Sequence, residues 1–292
     1  IQDSDKQNAA NPGANVFFWA SYDFMYSEGS KAKNRAGSNY GGGDTSHCTL
    51  DAHTYIHEMG HAFGLDDYYD YSQKYNPAGG FSMQDMNVGS HDPYSSLALG
   101  WTDPYIPTED CKISLRPFTE TGDAVLLSTD PGSVDSAFGE YLLLEFYTPT
   151  GLNQLDSTYS YSNYATGPSS SGIRVWHVDT RLAYLTYAQM QDQNADFVAS
   201  QLTSDPTLEN CGVTLAFSNT YYSSETEDYV SVLGKKYADY NQLQLIRNDE
   251  TATHQCDMFV SNADLFRDGE SFSMSTFSNQ FMKKGKMKSG ES

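Results

Sequence analysis

Residues 57–67 read His-Glu-Met-Gly-His-Ala-Phe-Gly-Leu-Asp-Asp. Spacing gives these side chains a chemistry. On a helix, His57 and His61 share one face, about one 5.4 Å turn apart. Two imidazoles so placed can grip one Zn²⁺ at about 2.0–2.1 Å each. Glu58 stands beside the first histidine, where a carboxylate can take a proton from a water activated by the metal. Gly64 tolerates φ > 0 at the position just past a helix, so the chain can turn there. That turn can bring Asp67 back as a third ligand, with Asp66 and Asp70 near enough to compete. The expected site is therefore His57, His61 and Asp67 on Zn²⁺, with Glu58 as general base. The ordinary alternative is an amphipathic helix carrying the pattern by accident. The glycine and acid that extend it, and the apolar flanks Met59, Ala62, Phe63 and Leu65, argue for a buried, purposeful helix.

Other chemistries are thinly represented. Structural zinc sites close their fourth position with protein, and Cys48, Cys111, Cys211 and Cys256 form no C-x-x-C. A G-x-S-x-G nucleophile elbow is absent from the sequence. His53 lies one turn before His57 and reads as a helix-surface residue. His177 and Asp179 alternate along one β-prone run. Two ligands without a third argue for a hydrogen-bonded pair that helps domains pack. Asp3, Asp5 and Asn8 share part of a calcium-loop spacing without its full run of oxygen ligands.

The stretch 57–67 resembles the active-site segment of the immune inhibitor A family of secreted bacterial zinc metallopeptidases, which carry H-E-x-x-H-x-x-G-x-x-D. Three further segments are similar to that family. Gly79–Asn87 looks like its Gly-Gly-aromatic segment with a methionine turn. Asp92–Trp101 looks like the helix and Gly-Trp that follow. Gly172–Asp179 looks like a strand after the catalytic domain. The resemblance covers most of residues 47–180. It implies a zincin-like fold, a zymogen origin, and a methionine floor beneath the zinc, with Met83 the first choice and Met86 the second.

Composition fits an exported protein. The net charge of −21 argues against nucleic acid and anionic membrane surfaces and adds Ca²⁺ as a second candidate ion. No run approaches the roughly 18 apolar residues of a membrane span. The first residues are polar and read as no signal peptide. With 22 tyrosines and many Ser, Asn and Gly, the chain suits a β-rich secreted fold. In such a compartment Cys48–Cys111 and Cys211–Cys256 are the expected pairings, against four free thiols.

The elements that must position the site follow from period and punctuation. Val16–Ala20 reads as a strand and 27–47 as a loop, with Thr49 or Asp51 capping the metal helix. Asp92 as N-cap, Pro93 at N1 and Gly100 past the end frame a second helix. Tyr94 on it reads as structural rather than as an oxyanion donor. Pro104 and Pro107 mark a boundary. Beyond them Lys112–Phe118, Ala124–Thr129, Glu140–Tyr147, Gly172–Asp179, Val213–Ser218 and Gln242–Arg247 read as strands. Asp156–Ser171 reads as an exposed loop, Arg181–Gln191 as a short helix or connection, and Lys283–Lys288 as a frayed end. The expected fold is α+β: a zincin-like catalytic domain (1–104) and an antiparallel β-sandwich-like domain (105–292). Only one clear strand precedes the metal helix, so the front of the catalytic sheet is either reduced or outside this chain.

The function expected is a secreted, monomeric zinc endopeptidase acting on protein or peptide substrates. The rival is a catalytically silent, peptidase-like module for adhesion or for glycan or protein binding.

Overall fold

The computed structural model describes residues 53–69, 75–85, 89–129, 137–158, 166–180, 242–254 and 256–281, with the backbone of short strands between 182 and 231. The expected strand Val16–Ala20, loop 27–47, caps Thr49 and Asp51, the Asp3–Asn8 run, Asp70, Met86, Cys48, Cys211 and Lys283–Lys288 lie outside the described residues.

The architecture is mixed α+β, with few helices. Among the described residues the α-helices are α1 (His53–Ala62), α2 (Pro93–Ala98), the single turn α3 (Phe118–Thr121) and α4 (Gln154–Thr158). Strands β1 (Ala124–Leu127), β2 (Glu140–Tyr147), β3 (Gly172–Asp179) and β9 (Leu243–Ile246) form one antiparallel sheet in the order β1-β2-β3-β9. β4 (Leu182–Leu185), β5 (Leu202–Thr203) and β6 (Gly212–Thr214) form a second sheet, and β7 (Thr220–Ser223) pairs with β8 (Asp228–Ser231).

The main sheet is covered on both faces, which is why its strands carry near-continuous apolar runs instead of strict alternation. On one face Leu126, Leu143, Trp176 and Leu245 pack with Tyr68, Phe81 and Tyr94. This core joins residues from both sides of position 104. On the other face Leu142, Val175 and Ile246 pack beneath Phe266, Phe277 and Phe281 of the C-terminal segment. Trp176 is wholly buried and gives its indole N–H to Glu145 at 2.9 Å. Truncating such a side chain to alanine typically costs about 3–5 kcal/mol, so the sheet is a rigid base for what it carries.

Several local expectations change. Lys112–Phe118 is not a strand: Pro117 makes a single bridge to Phe146, and Phe118 begins α3. Proline fixes φ and lacks the N–H a ladder needs, so it suits a helix start. Leu182–Leu185, expected as helix or connection, is strand β4, paired with β5 and β6. Within Asp156–Ser171, the start belongs to α4, with Asp156 and Ser157 buried. The segment returns inward where Gly167 N–H bonds the Asp156 carbonyl at 2.6 Å and Tyr147 Oη donates to the Pro168 carbonyl at 2.8 Å. Cys111 and Cys256 are free thiols, and their expected partners lie outside the described residues. Among the described residues no helix is long and apolar enough to cross a membrane.

Candidate metal centre

Helix α1 carries His57 and His61 on consecutive turns, with Glu58 next to His57. It ends in two bonds of the Schellman type: Gly64 N–H to the His61 carbonyl and Leu65 N–H to the Gly60 carbonyl, both 3.0 Å. Gly64 takes φ +97° to make that turn, a conformation that a side chain disfavours. The reversal sends Leu65 and Tyr68 into buried positions and leaves Asp67, between them, facing the helix it has just left.

Three donor atoms then converge. His57 Nε2 lies 3.1 Å and His61 Nε2 3.2 Å from Asp67 Oδ1, and the two Nε2 atoms are 3.2 Å apart. The imidazole planes stand at 89°. Atoms held tetrahedrally at about 2.0–2.1 Å from one zinc sit about 3.3 Å from each other, so the triangle has the right edge. The other ring nitrogens fix the chemistry. His57 Nδ1 is 2.8 Å from the Met83 carbonyl and His61 Nδ1 is 2.8 Å from the Leu65 carbonyl. A carbonyl only accepts, so each Nδ1 carries the proton, and a neutral ring then points its Nε2 lone pair into the triangle. Two lone pairs and a carboxylate oxygen meeting at one point repel unless a cation or proton lies between them. The residues therefore fit a divalent metal ion, and among the described residues they are the one such group.

The electrostatics agree. Burial by itself would raise the Asp67 carboxyl, but in the metal-free protein the two rings, when protonated, donate Nε2–H to it, and their hydrogen bonds and charge outweigh burial and hold the group well below the usual carboxylate range. An anion is thus maintained at the point where a cation is wanted.

A clamp from residues 82–84 fixes the arrangement. Met83 supplies the carbonyl for His57. Gln84 Nε2 donates to the His57 carbonyl at 3.1 Å, while the Gln84 carbonyl accepts from Tyr68 N–H at 2.9 Å. One residue therefore ties His57 to the neighbour of Asp67. Gln84 lies directly over Gly60, where an added Cβ would run into Oε1. Ser82 in turn donates to Asp92 Oδ2 at 2.6 Å, and Asp92 caps α2 by accepting from Ser95 N–H at 2.8 Å. The first turn of α2 thereby holds the clamp, and the clamp holds the candidate ligands. Beneath it Asp85 is buried. Burial pushes its carboxyl up to about 8, opposed by the Gly80 N–H bond and reinforced by the charges of Asp67 and Asp92.

The structure brings together His57, His61 and Asp67, with Asp66 outside the triangle. Glu58 occupies α1 beside His57, and its side chain lies outside the described residues. Met83 is buried and touches the site through its backbone oxygen. Tyr94 is buried and accepts from Gln242 Nε2 at 2.9 Å, a structural role. His177 pairs with Glu140 across the strands at 3.1 Å, not with Asp179. Cross-strand neighbours reach each other more readily than i, i+2 residues of one strand. Ser82, Gln84 and Asp92 escaped the sequence reading as positioning residues. Their signal was present only as polar residues inside the Gly79–Asn87 segment and at the α2 cap. Comparison with known proteins finds no matching family model, no matching characterised protein and no matching solved structure.

Proposed function

We propose that this chain is a secreted zinc-dependent endopeptidase of the immune inhibitor A type, with a zincin-like catalytic part (1–104) and a sandwich-like β part (105–292). The observation that carries the reading is the triangle of His57 Nε2, His61 Nε2 and Asp67 Oδ1, its edges 3.1–3.2 Å, each imidazole oriented by a backbone carbonyl. These three residues would hold the ion. When bound, zinc supplies a Lewis acid that polarises a peptide carbonyl and acidifies water. Glu58, next to His57, accepts the proton as water attacks and returns it to the leaving amine. A structural zinc site would not require that carboxylate.

Cleavage of unfolded casein by the full chain, beside Glu58→Ala, tests the reading. The parent is expected to cleave and the variant to lose at least ~10²-fold of the rate while keeping one equivalent of zinc by metal analysis. Equal activity in both samples would assign the cleavage to another protease. A zinc-loaded parent that leaves casein and a panel of unfolded proteins intact would overturn the peptidase and favour the binding-module reading.

A further inference from the structure

The chain leaving α2 runs Trp101-Thr102-Asp103-Pro104-Tyr105. Exposure alternates along it: Trp101, Asp103 and Tyr105 are exposed, Thr102 is half-buried and Pro104 is buried. The stretch is tied down at Tyr105, whose N–H bonds the Ala124 carbonyl and whose carbonyl accepts from Leu126 N–H, both 2.9 Å. Trp101, Asp103 and Tyr105 all line one groove. Two aromatic rings, 60% and 55% exposed, therefore flank one carboxylate.

They border a groove of about 340 Å³ shared with Ile113 and Leu115. Exposing two large aromatics so fully withholds apolar surface that folding would otherwise bury. Asp123, on the far side of the groove, is already engaged by Arg116 through two 2.8 Å bonds. Among the described residues Asp103 has no hydrogen bond or ion pair. Residues 101–110 add Glu109 and Asp110 and contain no Lys or Arg. The strip is also joined to the metal centre. Trp101 meets His91 edge to face at 5.5 Å, and His91 adjoins Asp92, which holds Ser82 of the clamp.

We propose that Trp101, Asp103 and Tyr105 form a recognition strip for a lysine or arginine side chain of a polypeptide. Aromatic faces attract a cation through the ring quadrupole, and the aliphatic stem of Lys or Arg covers the same rings. The carboxylate between the rings supplies the opposite charge. A neutral sugar would also stack on Trp101 and give hydroxyls to Asp103, but it carries no charge, whereas the −21 balance of the chain draws cations to this surface. That the polypeptide is the substrate of the neighbouring centre rests on the proposed peptidase reading. The strip itself does not depend on catalysis.

The test is binding, by calorimetry, of acetyl-Gly-Arg-Gly-Lys-Gly-amide and its neutral citrulline/norleucine counterpart to the full chain carrying Glu58→Ala, so that no turnover interferes. The basic peptide is expected to bind more tightly, with affinity falling as salt rises. Trp101→Leu and Asp103→Asn are each expected to weaken it about threefold to fivefold. Both positions are exposed, and an unchanged melting temperature confirms the fold. Asp268→Asn, an exposed acid away from the strip, is the control and is expected to leave binding unchanged. Equal affinity for both peptides, equal loss in all three variants, or binding of maltotriose or chitotriose in place of the basic peptide would each overturn the assignment. An inactive parent enzyme that still shows the Trp101 and Asp103 effects would sink the peptidase reading and leave the strip standing.

Discussion

His61 gives its Nδ1 proton to the carbonyl of Leu65, 2.8 Å away across the turn that ends its own helix. The candidate ligand is therefore oriented by the device that terminates α1. Gly64, at φ +97°, makes the turn, and the same turn delivers Asp67.

Gly64→Ala tests that dependence. A Cβ there meets no atom within 4 Å, so any effect is conformational. Left-handed backbone costs a non-glycine residue about 1–2 kcal/mol. Relief of that strain moves the Leu65 carbonyl off His61, and losing such an orienting partner typically lowers metal affinity about 10–100-fold. Chelator competition measures the affinity and a thermal melt the stability. Unchanged zinc affinity in a destabilised variant would show that the turn does not orient His61.

Gly60 and Gln84 should be energetically coupled. Gly60→Ala drives a methyl group into Gln84 Oε1, for an expected loss of about 1–3 kcal/mol. Gln84→Ala removes the bond to the His57 carbonyl. In the double variant the clash has gone, so the penalties should fall short of additivity by at least about 0.5 kcal/mol. Denaturant titration of all four proteins gives the coupling, and strict additivity would refute the contact.

Asp85 predicts a stability that falls with pH. Its folded carboxyl is raised to about 8, whereas an unfolded aspartate titrates near ~3.9. Between those values the folded state binds the extra proton, so stability declines as pH rises, by at most about 1.4 kcal/mol per unit. Asp85→Asn keeps the shape and an acceptor for Gly80 N–H without the charge. Its urea midpoint should lose that slope and exceed the parent's at pH 8. Parallel pH profiles would mean that Asp85 is ionised in the fold.

Asp67 works in the opposite direction in the metal-free protein. Its folded carboxyl is depressed, so its contribution is present above the unfolded value near ~3.9 and is lost as pH falls below it. Asp67→Asn should therefore be less stable than the parent at pH 5–6, with the gap closing towards pH 2. A gap that stays constant into strong acid would rule out the ion pair as its cause.

The local periodicities were legible in the sequence because each depends on a few neighbouring residues. The i, i+4 spacing of His57 and His61, the glycine that ends α1, the Asp92–Pro93 start of α2 and the spans Glu140–Tyr147 and Gly172–Asp179 all need only near-neighbour sterics and hydrogen bonding. Asp67 was nameable for the same reason, since one turn separates it from His61, although only the fold distinguishes it from Asp66. Tertiary structure decided what long-range contacts govern. Met83 serves through its carbonyl, which no side-chain pattern reveals. Gln84 and Ser82 gain their roles from a helix more than twenty residues upstream and a cap ten residues downstream. His177 took Glu140 across the sheet, a pairing set by register and not by sequence proximity. Leu182–Leu185 became a strand because β5 and β6 were there to pair with it. The identity of the candidate ligands was thus written into local spacing. The orientation that makes those ligands converge came from backbone groups, whose positions depend on how distant segments pack.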